Sequence, residues 1–179
     1  MSLYIVDVES DGPAPGLYSM VSLGCVRVDR DLKTTFKAMF APISQQWNPE
    51  ALAISRITRD HHLAYPDPAI GMAAFGDFLT ATSQGRPVFV SDNPGFDWQW
   101  VNYYFHRYLG GNPFGHSARR IGDLYAGLKG DFAAANEWKA LRRTEHTHDP
   151  VDDAVGNAEA LITFADRFGL KLPGVSSPD

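Results

Sequence analysis

The order in which strand-like and helix-like segments follow one another limits the folds open to this chain more than any other feature. Leu3 to Glu9 is an apolar, β-branched run, and a turn rich in Gly and Pro follows it. The segments 17–28 and 34–40 flank a short charged turn, which predicts a hairpin. With the first run, this hairpin predicts a three-stranded antiparallel meander.

The rest of the chain predicts helices that alternate with strands. The run 86–91 is continuously apolar at its centre and suits a strand buried on both faces. The apolar spacing and the flanking Pro and Gly residues predict further elements: a last strand at 119–124 and helices at 50–54, 68–82, 96–109 and 150–168. The 68–82 helix is expected to bury a side that includes Ile70 and Phe75. A meander followed by alternation predicts an α/β fold: one mixed five-stranded sheet, with two parallel strands beside the meander and helices on its faces.

Length and composition favour one domain. A chain of 179 residues with 44% hydrophobic residues can bury a single continuous core. We expect this domain to span 1–173, with a flexible tail at 174–179. There is no apolar run of about 18 residues and no signal-peptide pattern at the start, so we expect a cytoplasmic protein with no membrane partner. Cys25 is the sole cysteine, which excludes an internal disulfide and a cysteine-based zinc site.

The net charge of the chain bears on its partners. A formal charge of −5 and a pI of about 5.6 argue against a protein that holds long nucleic acid through a basic surface. This argument weakens if several acids are metal ligands, because bound divalent cations then supply the positive charge that meets a phosphate.

Two acids stand at the end of the first predicted strand. Asp7 and Glu9 are two residues apart, so both side chains point to the same face of the sheet. Like charges at that separation repel each other unless a cation lies between them, and a divalent metal is the usual cation. An isolated Asp-x-Glu is more often a strand end whose acids emerge into solvent. The pair therefore indicates a metal site only if further acids lie nearby.

Three more polar residues stand at the starts of predicted helices. Asp97 lies in the first turn after the 86–91 strand, where its carboxylate can project over the edge of the sheet. His148 precedes the last helix and Asp153 lies in its first turn, which makes the two residues spatial neighbours. Taken singly, the acids fit a favourable interaction with a helix N-terminus, and the histidine fits an exposed position.

Together these motifs resemble the DnaQ-like exonucleases of the DEDDh type. The motifs appear in the family's order as Asp7-Val8-Glu9, the string 91–98 that contains Asp97, and His148 followed by Asp153. Each is weak alone, but three in order on the expected elements are specific. The resemblance covers roughly residues 3–168 and implies an RNase H-like form of the predicted sheet. Within the superfamily that includes RNase T and oligoribonuclease, the chain looks closer to small bacterial exoribonuclease-like members than to proofreading subunits.

The resemblance implies catalysis with two divalent metal ions, Mg²⁺ or Mn²⁺. Such a pair stabilises both the attacking and the leaving oxygen in phosphodiester hydrolysis, and hard carboxylate oxygens suit these cations. The ligands would be four carboxylates, those of Asp7 as the bridge, Glu9, Asp97 and Asp153. His148 would accept a proton from the attacking water, a task that suits histidine near neutral pH. His146 competes for this role but does not fit the family spacing. Asp149 and Asp152 are assigned no catalytic role and are expected either to support the ligands from behind or to face solvent.

Substrate contacts are expected at two places. The turn formed by Ser10, Asp11 and Gly12 directly follows the first motif, and in similar enzymes the backbone of this turn meets the terminal sugar. Leu52 and Ile54 resemble the family's apolar wedge against the terminal bases, although core packing is the stronger explanation for Ile54. The aromatic residues of the 96–109 helix fit a core or a dimer interface better than base stacking. Similar enzymes are often homodimers, which keeps a homodimer open.

The expected function is that of a metal-dependent 3′-to-5′ exonuclease. It would hydrolyse single-stranded or short nucleic acid, with RNA favoured over DNA, and release nucleoside 5′-monophosphates. A DNA proofreading or repair exonuclease is the first alternative, because a motif does not reveal the 2′-hydroxyl contacts that separate RNA from DNA. A catalytically silent nucleic-acid-binding module is the second, and the presence of all five catalytic residue types argues against it. An unrelated metal-dependent phosphohydrolase is the third.

Overall fold

One mixed sheet organises residues 1–176, which are the residues that the computed structural model describes. Its strands are β1 (Ser2–Ser10), β2 (Met20–Arg27), β3 (Thr35–Met39), β4 (Pro87–Ser91) and β5 (Ala118–Arg120). Their order is β3-β2-β1-β4-β5, with β1–β2 and β2–β3 antiparallel and β1–β4 and β4–β5 parallel. This confirms the predicted meander with two parallel strands. The predicted tail at 174–179 lies partly outside the described residues.

Helices cover both faces of the sheet. They are α1 (Pro49–Ile54), α2 (Arg59–Leu63), α3 (Pro68–Thr82), α4 (Pro94–Leu109), α5 (Ile121–Lys129), a 3₁₀ helix (Phe132–Leu141) and α6 (Pro150–Phe168). The bounds of α3 and α6 match the prediction, and Gly169 ends α6 with a φ of 64°. α4 begins at Pro94 rather than at Phe96, because proline suits the first turn of a helix.

Two predictions about local structure were wrong. The last strand ends at Arg120, and residues 121–124 belong to α5, which buries Ile121 and Tyr125 one helical turn apart. Gly122 lies under the 3₁₀ helix, where a Cβ would overlap the carbonyl oxygen of Ala135. This tertiary contact favours the helix, and it cannot be predicted from the sequence around Gly122 alone. Ile70 is exposed, whereas α3 buries Met72, Phe75 and Leu79.

Each face of the sheet has its own core. α3 and α4 pack on one face, where Phe75, Phe89, Trp100 and Tyr104 are fully buried. α5, α6 and the 3₁₀ helix cover the other face around Trp138 and other apolar residues. The buried aromatic residues of α4 are therefore core residues rather than base-stacking platforms. Among residues 1–176, no helix has both the length and the hydropathy needed to span a bilayer.

Candidate metal centre

The central strand delivers two carboxylates to one face of the sheet. Asp7 and Glu9 lie near the end of β1, which is flanked by β2 on one side and β4 on the other. Both side chains are half-buried. The β1–β2 register shifts between Glu9 and Ser10, so regular pairing is interrupted just after the second acid. Strand ends with such irregularities are common beside functional sites.

The first turn of α6 places a third carboxylate against the first two. α6 packs on β1 and β2, and its N-terminus lies over Gly24, the residue that pairs with Asp7 across the sheet. A Cβ at Gly24 would overlap the backbone of Pro150, so glycine permits this approach. Asp153, three residues beyond Pro150, is fully buried. Its oxygens and those of Asp7 and Glu9 include atoms that all lie within 4.8 Å of one another.

Asp97 completes a group of four acids. It lies in the first turn of α4, is 5% exposed, and donates its backbone N–H to the Asn93 carbonyl at 2.9 Å. Its negative charge raises the pKa values of both Asp7 and Glu9, which places it in the same electrostatic cluster. The structure therefore brings together the four acids that the sequence selected.

The carboxyl groups of Asp7, Glu9 and Asp97 hold protons more tightly than exposed acids do. Burial, and then the charges of the neighbouring acids, raise the pKa of Asp7 well above its usual range and that of Glu9 to about 7. Burial likewise raises the pKa of Asp97 to about 7. Crowded carboxylate oxygens with this proton affinity gain when a hard divalent cation replaces the protons. The donor set therefore fits Mg²⁺ or Mn²⁺.

Two histidines, rather than one, reach the acids. The Nδ1 atom of His148 lies 3.5 Å from Oε1 of Glu9, and that of His146 lies 2.8 Å from Oδ1 of Asp153. Their ring centroids are 4.4 Å apart. His148 has a φ of 60°, a left-handed conformation unusual for histidine, and its backbone N–H donates to Oδ2 of Asp153 at 3.1 Å. The carboxylate thus helps to hold the loop that carries the predicted base.

Arg142 is a residue of the site that the sequence did not reveal. Its side chain donates to Oδ1 of Asp153 at 3.0 Å and is mostly buried. Nothing in the local sequence separates Arg142 from its neighbour Arg143. The acids that were assigned no role support the same loop: Asp149 caps α6 and pairs with Lys37, and Asp152 accepts a hydrogen bond from Thr147.

The turn after β1 is a packed structural unit. The Asp11 side chain is fully buried, accepting hydrogen bonds from the Ser19 backbone and, at 2.9 Å, from Arg59. Ser10 donates its hydroxyl to the Gly12 carbonyl at 2.7 Å. The ring of Tyr18 lies where a Cβ of Gly12 would be. The Asp11 side chain is thus engaged within the protein, and any contact of this turn with substrate falls to its backbone.

The two residues of the predicted wedge lie in different environments. Leu52 is buried against the sheet, whereas Ile54 is 52% exposed, so core packing does not explain Ile54. α1 is tied to the turn after β1, because the Asn48 N–H donates to the Asp11 carbonyl at 2.7 Å. The exposed Ile54 is therefore carried by an element anchored beside the acids.

Comparison with known proteins identifies relatives of this chain. No family model matches it. A 3′-5′ DNA exonuclease of Escherichia coli, Cap18, is 34% identical over 180 residues, which cover 93% of this chain and 92% of that protein. The nuclease domain of 3′hExo, a DEDDh family member bound to rAMP, has a TM-score of 0.73 at 15% identity and covers 95% of this chain and 94% of that chain.

A second solved structure shares the fold within a longer protein. E. coli ExoI in its zinc-bound complex with single-stranded DNA has a TM-score of 0.71 at 17% identity. It matches 94% of this chain but only 42% of the ExoI chain. The two structural neighbours bear on the fold, and the 34% identity to Cap18 over nearly both full lengths bears on the family. The chain therefore belongs to the DnaQ-like DEDDh family of 3′-to-5′ exonucleases.

Proposed function

We propose that this protein is a metal-dependent exonuclease that removes nucleoside 5′-monophosphates from the 3′ end of single-stranded nucleic acid. The observation that carries the proposal is the convergence of Asp7, Glu9, Asp97 and Asp153 near the end of β1. Clustered and buried acids such as these, with raised pKa values at Asp7, Glu9 and Asp97, are unfavourable without a cation. A pair of divalent ions, Mg²⁺ or Mn²⁺, would balance them and meet the negative charge of a phosphodiester.

Each protein group has a distinct task in this proposal. When bound, the two metals would supply an activated nucleophile and stabilise the charge that develops on the phosphate oxygens. Asp7 is assigned as the shared ligand, with Glu9, Asp97 and Asp153 around it. His148 is assigned as the general base that accepts a proton from the attacking water. The scissile P–O3′ bond then breaks, leaving a 3′-hydroxyl on the shortened chain and a 5′-phosphate on the released nucleoside.

Contacts with the 3′ end are assigned to the neighbourhood of α1. The backbone of Ser10, Asp11 and Gly12 would face the terminal sugar, and Ile54 would pack against a terminal base. Support comes from the exposure of Ile54 and from the hydrogen bond that ties α1 to the turn. Leu52 is assigned a supporting place beneath Ile54, because it is buried. An apolar contact of this kind tolerates any base.

We favour DNA over RNA as the substrate, contrary to the preference expected from the sequence. The relative at 34% identity is named as a DNA exonuclease, and ExoI is solved with single-stranded DNA. The structure of 3′hExo holds rAMP, and RNA therefore stays a competing prediction. The activity is assigned to one domain over residues 1–173. A homodimer also stays a prediction.

A product-ladder experiment tests the proposed function. Oligonucleotides of DNA and RNA, single- and double-stranded and labelled at the 5′ end, are incubated with the protein and Mn²⁺, Mg²⁺ or EDTA. We expect a ladder of 5′-labelled products that shortens by single nucleotides, faster on single-stranded DNA, and no products in EDTA. An immediate release of labelled mononucleotide would show the opposite polarity. Equal products in EDTA would contradict metal dependence, and a faster RNA ladder would reverse the sugar preference.

A further inference from the structure

One carboxylate oxygen of Asp153 contacts more hydrogen-bond donors than an oxygen that is free to bind a metal would. Its Oδ1 atom has three partners: the Thr147 backbone N–H at 3.1 Å, the Arg142 guanidinium at 3.0 Å and His146 Nδ1 at 2.8 Å. A carboxylate oxygen offers lone pairs for about two such contacts. A metal that binds this oxygen must therefore displace one of the donors.

Among these donors, the guanidinium of Arg142 is the one whose permanent positive charge opposes a bound metal cation. The backbone N–H of Thr147 is fixed by the loop, whereas a metal cation and a guanidinium repel each other. Arg142 uses one terminal nitrogen on Asp153, and its buried Nε has no hydrogen-bond partner among residues 1–176. An arginine that donates one hydrogen bond to a carboxylate loses less interaction energy when it moves away than an arginine that donates two.

The surroundings of Arg142 allow this movement. Its guanidinium passes α6 at Gly156, where a Cβ would lie 2.6 Å from Nε, so the absence of a side chain creates its place. A cavity of about 360 Å³ adjoins the Arg142 side chain. The cavity is lined by Asp92, Lys139, Arg143, Thr144, Glu145 and His146. Two of these residues are acids, so the displaced cation has alternative partners.

The charge of Arg142 also acts on Asp7, a second acid of the cluster. Burial and the neighbouring acids raise the pKa of Asp7, and the charge of Arg142 opposes that rise. From this geometry we infer that Arg142 is an exchangeable counter-ion, which neutralises Asp153 in the metal-free protein and is displaced when a divalent metal binds. The inference rests on the proposed function, because it needs the acids to be metal ligands.

Mn²⁺ titration of the metal-free protein, without nucleic acid, tests the inference. Calorimetry compares the parent with Arg142→Gln and with the control Arg143→Gln. Arg143 is the neighbouring cation, but its side chain is 75% exposed and lies 3.6 Å from Glu159. We expect Arg142→Gln to bind Mn²⁺ between about fivefold and a hundredfold more tightly, the usual range for two coupled sites. Arg143→Gln should change the affinity less than about twofold.

Unchanged or weaker Mn²⁺ binding by Arg142→Gln would overturn the counter-ion role, because a purely structural arginine gives that result. Asp7→Asn separates this failure from that of the proposed function. If the parent binds Mn²⁺ and Asp7→Asn does not, the metal assignment stands whatever Arg142 does. A parent that binds no Mn²⁺ would overturn both.

A second measurement uses the parent protein and so does not depend on how a variant folds. The Nε–H signal of Arg142 is followed by NMR during Mg²⁺ titration and is assigned by its absence in Arg142→Lys. We expect this signal to shift with the same midpoint as metal binding. A signal that stays fixed through saturation would show that the guanidinium remains on Asp153, and would refute the exchange.

Discussion

Gly24 and Pro150 are in direct backbone contact across the β2–α6 interface, and this contact sets how closely the start of α6 approaches the sheet. A Cβ at Gly24 would overlap the Pro150 carbonyl carbon and oxygen. Gly24 pairs with Asp7, and Pro150 begins the helix that holds Asp153. The spacing between two of the acids therefore depends on a residue that carries no functional group.

Gly24→Ala should damage both stability and activity. The added methyl must push α6 from the sheet, and overpacking of this kind costs about 1 to 3 kcal/mol. The same displacement separates Asp153 from Asp7, so turnover should fall more than tenfold even where the protein stays folded. Urea unfolding and oligonucleotide hydrolysis measure the two effects.

Gly127→Ala is the matched control. Gly127 lies within α5, and a Cβ there meets nothing within 4 Å. Alanine should raise the unfolding free energy by roughly 0.5 to 1 kcal/mol and leave turnover unchanged. Equal effects of the two substitutions would contradict the role given to Gly24.

The metal-free protein should gain stability at high pH from Glu9→Gln. The pKa of Glu9 is raised from 4.5 to about 7, so the folded chain binds this proton more tightly than the unfolded chain does. The stability linked to that proton is present below about pH 4.5 and is lost as the pH rises through about 7. At about 1.4 kcal/mol per tenfold change in proton affinity, the loss is on the order of 3 kcal/mol.

Urea unfolding in EDTA measures the free energy of unfolding of the parent and of Glu9→Gln at pH 4.5 and at pH 8. These values lie at the lower end of the Glu9 titration range and above it. Glu9→Gln should match the parent at the lower pH and exceed it at the higher. Added Mn²⁺ should remove the advantage at the higher pH by stabilising the parent. A variant that is no more stable than the parent at pH 8 would show that the charge of Glu9 does not destabilise the metal-free protein.

His148→Asn should show which of the two histidines accepts the proton. Asparagine tolerates the left-handed backbone of His148, with its φ of 60°, better than alanine does, so the loop keeps its shape. Without the base, turnover should fall about a hundredfold or more while Mn²⁺ affinity stays nearly intact. His146→Ala should cost less than about tenfold. If the effects are exchanged, the proton acceptor is His146, whose Nδ1 already contacts Asp153.

Ile54→Ala tests the exposed residue of α1. Ile54 is largely exposed, so its truncation should leave the unfolding free energy within about 0.5 kcal/mol while raising the KM for a single-stranded oligonucleotide several-fold. Leu52→Ala, at a buried neighbour, should instead cost about 2 to 5 kcal/mol of stability. An unchanged KM in Ile54→Ala would remove this residue from the substrate site.

Much of the fold follows from local patterns. The bounds of α3 and α6 are marked by Pro at the start of each helix and by apolar spacing. The region 110–141 could not be predicted in the same way. There, α5 and the 3₁₀ helix pack on each other through Gly122, and a close contact between two short elements leaves no periodic signal in either.

The site shows the same division. Asp7 and Glu9 carry a signal because two acids in an apolar strand are costly, and Asp153 is marked by its place in a helical first turn. Arg142 carries no such signal, because its function depends on the path of a loop and on the space left by Gly156. Sequence therefore predicts the acids themselves, whereas the structure is needed to show which cations face them.

The rate at which Asp7→Asn shortens a 5′-labelled oligonucleotide is the measurement that tests the central claim most directly. The substitution keeps the shape of the side chain but removes the charge of the assigned shared ligand. With saturating Mn²⁺ and a 5′-labelled single-stranded oligonucleotide, and with folding verified by circular dichroism, hydrolysis should fall at least about a thousandfold. Hydrolysis at the parent rate by a folded Asp7→Asn protein would contradict the assignment of this acid cluster as the catalytic metal centre.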